Sequence, residues 1–251
     1  MEMTGNTILV TGGTSGIGRA LAEQFHSRSN QVIIAGRRQP LLDEITAERP
    51  GIRGIQVDLD DEKSLVAFAD GVAAEFPDLN MLVNNAGISR EENIVGEDFD
   101  FATSREMIHT NILAKLQLTG LLLPVLRQQP TATIITTSSG LAFVPRHNFP
   151  TYCATKAFLH SWVQSLRTQL RETAIKVLEL IPPYVQTELA GPDQARDPNA
   201  MPLGTYIAEV VGLLESGDLP NGEILVERVK QLRSAERMGK YDEVYSTLNA
   251  S

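Results

Sequence analysis

Two groups of residues in this chain have the types and spacing for chemistry. Tyr152 and Lys156 stand four apart in a stretch of helical periodicity, so both side chains project from one helix face. A free phenol, with a pKa of about 10, holds its proton too tightly to shuttle it near neutrality. A neighbouring ammonium, joined by any further positive charge over the site, favours the phenolate and lowers that value. The pair therefore reads as a proton donor and its tuner, with Cys153 between them pointing elsewhere and serving as a small packing residue. The second group is the run Thr11-Gly-Gly-Thr-Ser-Gly-Ile-Gly18, which follows a β-branched stretch and leads into the helical Arg19-Ala-Leu-Ala-Glu23. A turn built from Gly12, Thr14, Ser15, Gly16, Ile17 and Gly18 aims backbone N–H groups from a helix N-terminus at an anion, and its glycines let a pyrophosphate come close.

Placing such a turn and such a pair in one site requires strands and helices in alternation. Thr7–Val10, Gln31–Ala35, Ile52–Val57, Met81–Val83, Thr133–Thr137, Lys176–Ile181 and Glu223–Val226 read as strands. The runs Val32-Ile-Ile-Ala35 and Ile134-Ile135 lack polar alternation, as strands buried on both faces of a parallel sheet do. Gly16–Ser29, Glu62–Phe76, Ser104–Arg127 and Thr151–Glu172 carry helical periodicity between them, giving repeated βαβ units. The expected fold is α/β, a Rossmann-type doubly wound parallel sheet of about seven strands with helices on both faces, formed by the whole chain as one domain. The turn-rich stretch from Gln186 to Gly204 reads as a mobile lid. The polar helical tail, Arg233 to Lys240 and Tyr241 to Asn249, suits a solvated face and an assembly contact equally.

Cofactor type is read at the end of the second strand. An acidic residue there would bind the ribose 2′-hydroxyl of NAD, but Gly36 holds that place and Arg37 and Arg38 follow it. Two guanidinium groups suit a 2′-phosphate, so NADP(H) is expected in preference to NAD(H). A phosphate loop of the nucleotide-hydrolase type is excluded, because Arg19-Ala20 stands where its Lys-Ser/Thr would be. The G-x-G-x-x-G spacing fails as well, since Leu21 falls on its last glycine, and the fingerprint is T-G-x-x-x-G-x-G.

That fingerprint with the Tyr152–Lys156 spacing resembles the short-chain dehydrogenase/reductase family over roughly Thr7 to Leu189. The resemblance implies further roles. In Asn84-Asn85-Ala86-Gly87, the residues Asn85, Ala86 and Gly87 would support the cofactor, and Asp58 with Leu59 would face its adenine. Ser139 would hydrogen-bond the reacting oxygen, with Ser138 one position away as the competing assignment. Asn111 would hold a relay water against Lys156, completing an Asn111–Ser139–Tyr152–Lys156 tetrad in which Tyr152 and Lys156 also touch the cofactor. Pro182, Val185 and Thr187 would lie on its nicotinamide side. The implied reaction is hydride transfer between a nicotinamide and a carbonyl carbon, with Tyr152 as general acid or base. Two departures stand out: Pro182-Pro183-Tyr184 replaces the family's usual Pro-Gly, and Glu227-Arg-Val-Lys230 replaces its glycine-rich ending. Pro183 fixes φ and stiffens that loop, and the pair resembles the family's DltE-like oxidoreductase subgroup.

Composition narrows the partners. With 22 basic and 31 acidic side chains in 251 residues, the net charge is −9 and no long basic run exists, which argues against nucleic acid and anionic membrane. The opening residues lead straight into an apolar strand without a leader or membrane-spanning pattern, so cytoplasmic residence is expected. One cysteine excludes an internal disulfide, and His26, His109, His147 and His160 lack metal-ligand spacing, so no metal site is expected. The expected partners are a small carbonyl or alcohol substrate and further copies of the chain, as homodimer or homotetramer. Leu141, Phe143, His147, Phe149 and Tyr184 either line an apolar substrate site or pack the lid. A protein that binds NADP(H) without turnover is the alternative function. An epimerase of the extended branch is disfavoured, because Ser15 stands where its first turn needs glycine.

Overall fold

A computed structural model of the chain describes residues 2–97 and 99–250. Seven parallel strands form one sheet in the order β3-β2-β1-β4-β5-β6-β7. They are β1 (Thr7–Thr11), β2 (Gln31–Gly36), β3 (Ile52–Gln56), β4 (Leu79–Asn84), β5 (Ala132–Thr137), β6 (Ile175–Leu180) and β7 (Glu223–Ile224). The order runs one way from β1 to β3 and the other way from β4 to β7, so a crevice opens at the carboxyl ends of β1 and β4, where such sheets hold their ligands.

Alternate side chains of the buried strands feed two separate cores. Ile8 and Val10 of β1 pack with Val32 and Ile34 of β2 against helices α1 (Gly16–His26), α2 (Gln39–Glu48) and α7 (Leu203–Ser216). Leu9 and Ile33, pointing the opposite way, pack against α3 (Glu62–Glu75), α5 (Ala114–Arg127) and α6 (Pro150–Gln169). The period-2 strand with no polar face thus has its physical cause in helices on both sides.

The structure adds elements to the expected set. Helix α2 presents only Leu42 and Ile45 to the core, too few for a periodic stripe to stand out. Helix α7 carries a clear stripe of Tyr206, Ile207, Val210, Val211 and Leu214 just past the turn-rich segment. The expected helix from Ser104 to Arg127 begins earlier and is interrupted. It comprises α4 (Phe101–Ile108), a π-helical turn at His109–Leu113, and α5. The Ala114 N–H reaches back to the His109 carbonyl, one residue further than in an α-helix.

The lid segment is knit rather than open. Gln194 Nε2 donates to the Val185 carbonyl at 2.8 Å and to Thr187 Oγ1 at 3.2 Å, and Gln186 and Met201 exchange backbone contacts with Met201 and Tyr184. The tail forms α8 (Lys230–Ser234) and α9 (Tyr241–Leu248), and it packs on its own chain. Ala235 and Val244 bury Val144, while Asn249 accepts from the His147 N–H at 2.7 Å and donates to the Pro145 carbonyl at 3.1 Å. It therefore braces the loop that joins Ser139 to Tyr152.

Candidate active site

The glycine turn lies at the mouth of the crevice. Helix α1 begins at Gly16, and its N-cap Ser15 makes no side-chain capping bond, so the first-turn N–H groups keep no side-chain partner there. Gly12, at φ +65°, and Gly18 are fixed by the turn's own packing. A Cβ at Gly12 would meet Ala86 Cα at 2.8 Å, and one at Gly18 would meet the Gly12 carbonyl at 2.3 Å. Gly16 is different, since the nearest atom to an added Cβ is Thr187 Cγ2 at 3.4 Å, across from the lid. Asn85 ties this turn to β4 through its Nδ2, which donates to Thr11 O at 3.2 Å, while Thr11 Oγ1 accepts from the N–H groups of Asn85 and Ala86.

At the end of β2, Arg38 extends over the turn and donates to Ser15 Oγ at 3.1 Å and Thr14 Oγ1 at 3.3 Å. Arg37 is half-exposed beside Asp60, with 3.7 Å between charges. Gly36 leaves room for Thr14, whose Cγ2 would lie 2.9 Å from an added Cβ. The uncapped helix start and a guanidinium on the same turn fit a phosphorylated dinucleotide. Asp58 is exposed and Leu59 buried beyond β3, and Pro182 and Val185 are buried in the run that leads from β6 into the lid.

The structure brings the four expected catalytic residues to the carboxyl ends of β4 and β5. Tyr152 is 7 % exposed and Lys156 3 %, and the ammonium lies 5.3 Å from the centre of the Tyr152 ring while donating to Thr137 O at 3.2 Å. Asn111 falls in the π turn, fully buried. Its Nδ2 donates to Ile88 O at 2.9 Å and Thr155 Oγ1 at 3.1 Å, and its Oδ1 accepts from the Ile88 N–H at 2.9 Å. Gly87 lets the chain pass here, because a Cβ would stand 3.0 Å from Asn111 Oδ1. Ser138 and Ser139 are separated by their partners. Ser138 Oγ turns inward to Glu179 at 2.5 Å, while Ser139 Oγ accepts from the Leu141 N–H at 3.1 Å at the start of the next turn.

The electrostatics differ from the expectation that Lys156 would lower the phenol. Burial dominates and pushes Tyr152 well above its ordinary value, opposed by the Ser139 hydrogen bond. Burial likewise pushes Lys156 down to about 8, against the pull of Glu179. The free protein therefore keeps Tyr152 as a protonated phenol. Burial also pushes the Cys153 thiol up.

Three charged residues that sequence reasoning passed over support this arrangement. Lys115 is buried and donates to the Asn84 and Ala86 carbonyls, and burial, followed by repulsion from Lys156, holds its ammonium well below the usual range. Glu92 is 9 % exposed and caps helix α6, accepting from the Thr151 N–H and hydroxyl at 3.0 Å each and from Ser104. Glu179 on β6 binds Ser138 and His160 Nδ1, the latter at 2.8 Å. A charged residue inside the apolar run Val177-Leu-Glu-Leu-Ile181 was the visible signal for it. Folding also gathers His160, Glu179 and Glu223 within 4.8 Å, which spacing along the chain concealed. Their ligand atoms are taken up by Ser138, Gln164 and a two-pronged contact from Arg233 to Glu223.

Known proteins resemble this chain in sequence and fold. The sequence profile described as short chain dehydrogenase matches residues 6–198. The uncharacterized oxidoreductase DltE of Bacillus subtilis (strain 168) is 40% identical over 252 residues, covering 99% of this chain and 98% of the relative. Among solved structures, a short chain dehydrogenase from Burkholderia cenocepacia J2315 in complex with NADP superposes with a TM-score of 0.83 at 20% identity, covering 99% of each chain. The closed form of a serine dehydrogenase complexed with NADP+ gives 0.75 at 26% identity, covering 85% of this chain and 90% of that one. Among the described residues, no helix is long and apolar enough to cross a membrane.

Proposed function

The chain belongs to the short chain dehydrogenase family, and from that premise we propose that it interconverts a carbonyl and a secondary alcohol on a small molecule with NADP(H) as hydride partner. The observation that carries this reading is the buried cluster of Tyr152, Ser139, Lys156 and Asn111 opposite an uncapped, glycine-rich helix start. When bound, the nicotinamide supplies or accepts the hydride.

The chain's own residues do the rest. Tyr152 donates its phenolic proton to the carbonyl oxygen in reduction and takes the alcohol proton in the reverse direction. Burial keeps it protonated in the free protein, so giving up that proton calls for positive charge beside the ring, which Lys156 supplies and an oxidised nicotinamide would increase. Ser139 hydrogen-bonds the same oxygen as charge develops there. Lys156, fixed to Thr137 O, places a positive charge beside the ring that becomes phenolate. Asn111 clamps both polar groups of Ile88 and keeps the strand-to-loop step rigid around Lys156. Gly12, Thr14, Ser15, Gly16, Ile17 and Gly18 would hold the pyrophosphate, and Pro182, Val185 and Thr187 the nicotinamide side.

The preference for NADP(H) over NAD(H) rests on Arg37 and Arg38 directly after Gly36, with no carboxylate at Gly36 where a 2′-hydroxyl would bind. Solved structures of the same fold carry NADP+ in one case and NADH in another, so the two arginines alone carry the preference. Exposed Ile108 and Leu113 on the α4 to α5 run and Phe158 on the adjoining α6 support assembly as a homodimer or homotetramer. Sedimentation would read that state directly.

The deciding experiment follows reduced-nicotinamide absorbance with NADPH or NADH over a panel of diketones, aldehydes, keto sugars and keto acids. Consumption with the wild type and none with Tyr152→Phe, at unchanged NADPH affinity, is the expected result. Full activity in Tyr152→Phe would overturn the assignment. Tight NADPH binding without turnover on any carbonyl would favour a non-catalytic NADP(H) sensor.

A further inference from the structure

Beneath the Ser138–Ser139 turn lies a buried charged cluster that the proposed chemistry does not use. Glu179 of β6 is fully buried, and its two oxygens serve two different elements. One accepts from Ser138 Oγ at 2.5 Å, one residue before Ser139, and the other from His160 Nδ1 at 2.8 Å. Tyr152, Lys156 and His160 stand at successive fourth positions of α6, so the helix face that carries the proton donor ends on this carboxylate. The His160 ring is held from its far side too, where Nε2 accepts from Gln164 Nε2 at 2.8 Å. The backbone above is tied to the same strand: Ser138 N–H donates to Leu180 O and Gly140 N–H to Pro182 O, each at 2.9 Å.

A second carboxylate stands beside the first. Glu223 of β7 is the register partner of Glu179, is itself buried, and has a carboxylate oxygen within 4.8 Å of one on Glu179. Two ionised carboxylates this close and away from water repel each other, and each competes for the other's donors, unless one is neutralised. Arg233 of α8 neutralises Glu223 with two bonds, at 2.7 and 2.9 Å, the forked geometry of a strong pair. Its guanidinium also covers the Phe143 ring at 4.6 Å, and that ring meets the His160 ring edge-on. The same tail helix presses on the turn after Ser139, since a Cβ at Gly140 would stand 2.8 Å from Leu232 Cδ1. With Glu223 satisfied by the tail, Glu179 is left to Ser138 and His160, and a buried polar network in which the charged groups are all partnered is rigid.

Resting on the oxidoreductase reading above, we propose that Glu179 is a positioning residue of the reaction. Through Ser138 it sets Ser139, and through His160 it fixes the helix face of Tyr152 and Lys156, so that one carboxylate registers the oxygen-binding serine against the proton donor. Arg233 completes the device by keeping Glu223 from competing with it. The C-terminal tail, where the chain departs from the family's glycine-rich ending, thereby supplies a charge on which the geometry of the active site depends.

Two readouts on the full chain test this: amide hydrogen exchange without cofactor, and steady-state reduction of the best carbonyl from the panel above. Glu179→Gln is expected to speed exchange at Gly140 and Leu141 about tenfold or more and to lower kcat by a similar factor. KM and calorimetric affinity for NADPH should stay unchanged, because no residue of the glycine turn belongs to the cluster. Ser138→Ala should act alike, and adding it to Glu179→Gln should cost less than the sum of the two. Arg233→Gln should loosen the same amides, and Glu223→Gln in the same chain should restore them and kcat, a recovery that a mere packing role of Arg233 would not give. If Glu179→Gln does not fold, the Ser138 and Arg233 arms decide alone. Unchanged exchange in Glu179→Gln overturns the proposal, as do effects of Glu179→Gln and Ser138→Ala that simply add, or an Arg233→Gln defect that Glu223→Gln leaves in place. The expected exchange pattern in a chain that reduces no carbonyl strikes the oxidoreductase reading instead.

Discussion

Lys156→Met should make the protein more stable at neutral pH while it abolishes activity. Burial holds the Lys156 ammonium at about 8 where an exposed lysine sits at 10.5. At about 1.4 kcal/mol per tenfold change in proton affinity, keeping that charge inside costs about 3 kcal/mol at pH 7. Methionine removes the penalty but leaves Thr137 O without its donor, a loss of about 1–2 kcal/mol. The pH dependence separates the two. Below pH 8 the folded and unfolded chains both hold the proton, and the penalty is complete. Between pH 8 and 10.5 the unfolded chain keeps a proton that the folded chain has released, so wild-type stability rises with pH across that window. Relative to Lys156→Met, wild type should therefore gain about 2 kcal/mol between pH 7 and pH 9.5, a change that the lost hydrogen bond does not enter. Urea unfolding of both proteins at the two pH values, without cofactor, measures it, and titrating groups that do not feel Lys156 cancel in the difference, Lys115 being the neighbour that does. A gap between the two proteins that stays flat across this range would refute the claim that burial penalises Lys156.

The same group limits catalysis from the alkaline side. Carbonyl reduction should fall as pH rises through about 8 with loss of a single proton, and a rate constant up to pH 10 would show that the Lys156 charge is dispensable. Arg38→Leu should raise KM for NADPH about tenfold or more and leave NADH nearly unaffected, as steady-state kinetics with the two cofactors would read. Gly36→Asp should shift preference toward NADH only when combined with Thr14→Ala, because its Cβ would otherwise press on Thr14 Cγ2 at 2.9 Å; the single and double variants compared by the same kinetics decide it. Val244→Asp should detach the tail from Val144 and cut activity along with protection of the Ser139–Tyr152 loop in hydrogen exchange.

The fold was legible in the sequence because its signals are local. Uninterrupted apolar strands such as Val32 to Ala35 and periodic helices between them suffice to specify a two-sided parallel sheet, and the glycine turn and the Tyr152–Lys156 pair need only short spacing to be seen. Tertiary structure alone decided how those residues are set. The π turn at Asn111 leaves no trace in side-chain periodicity, since it shifts backbone hydrogen bonds by a single residue. Ser138 and Ser139 are alike as letters and were told apart only when β6 placed Glu179 beneath the first of them. The tail read as a solvated face or an assembly contact because its own polarity says nothing of Val144, about a hundred residues earlier, on which it closes. Spacing proposed that Lys156 would draw the Tyr152 proton down. In the free protein burial outweighs it, because desolvation depends on everything packed around a group, which no pair of positions along a chain can state.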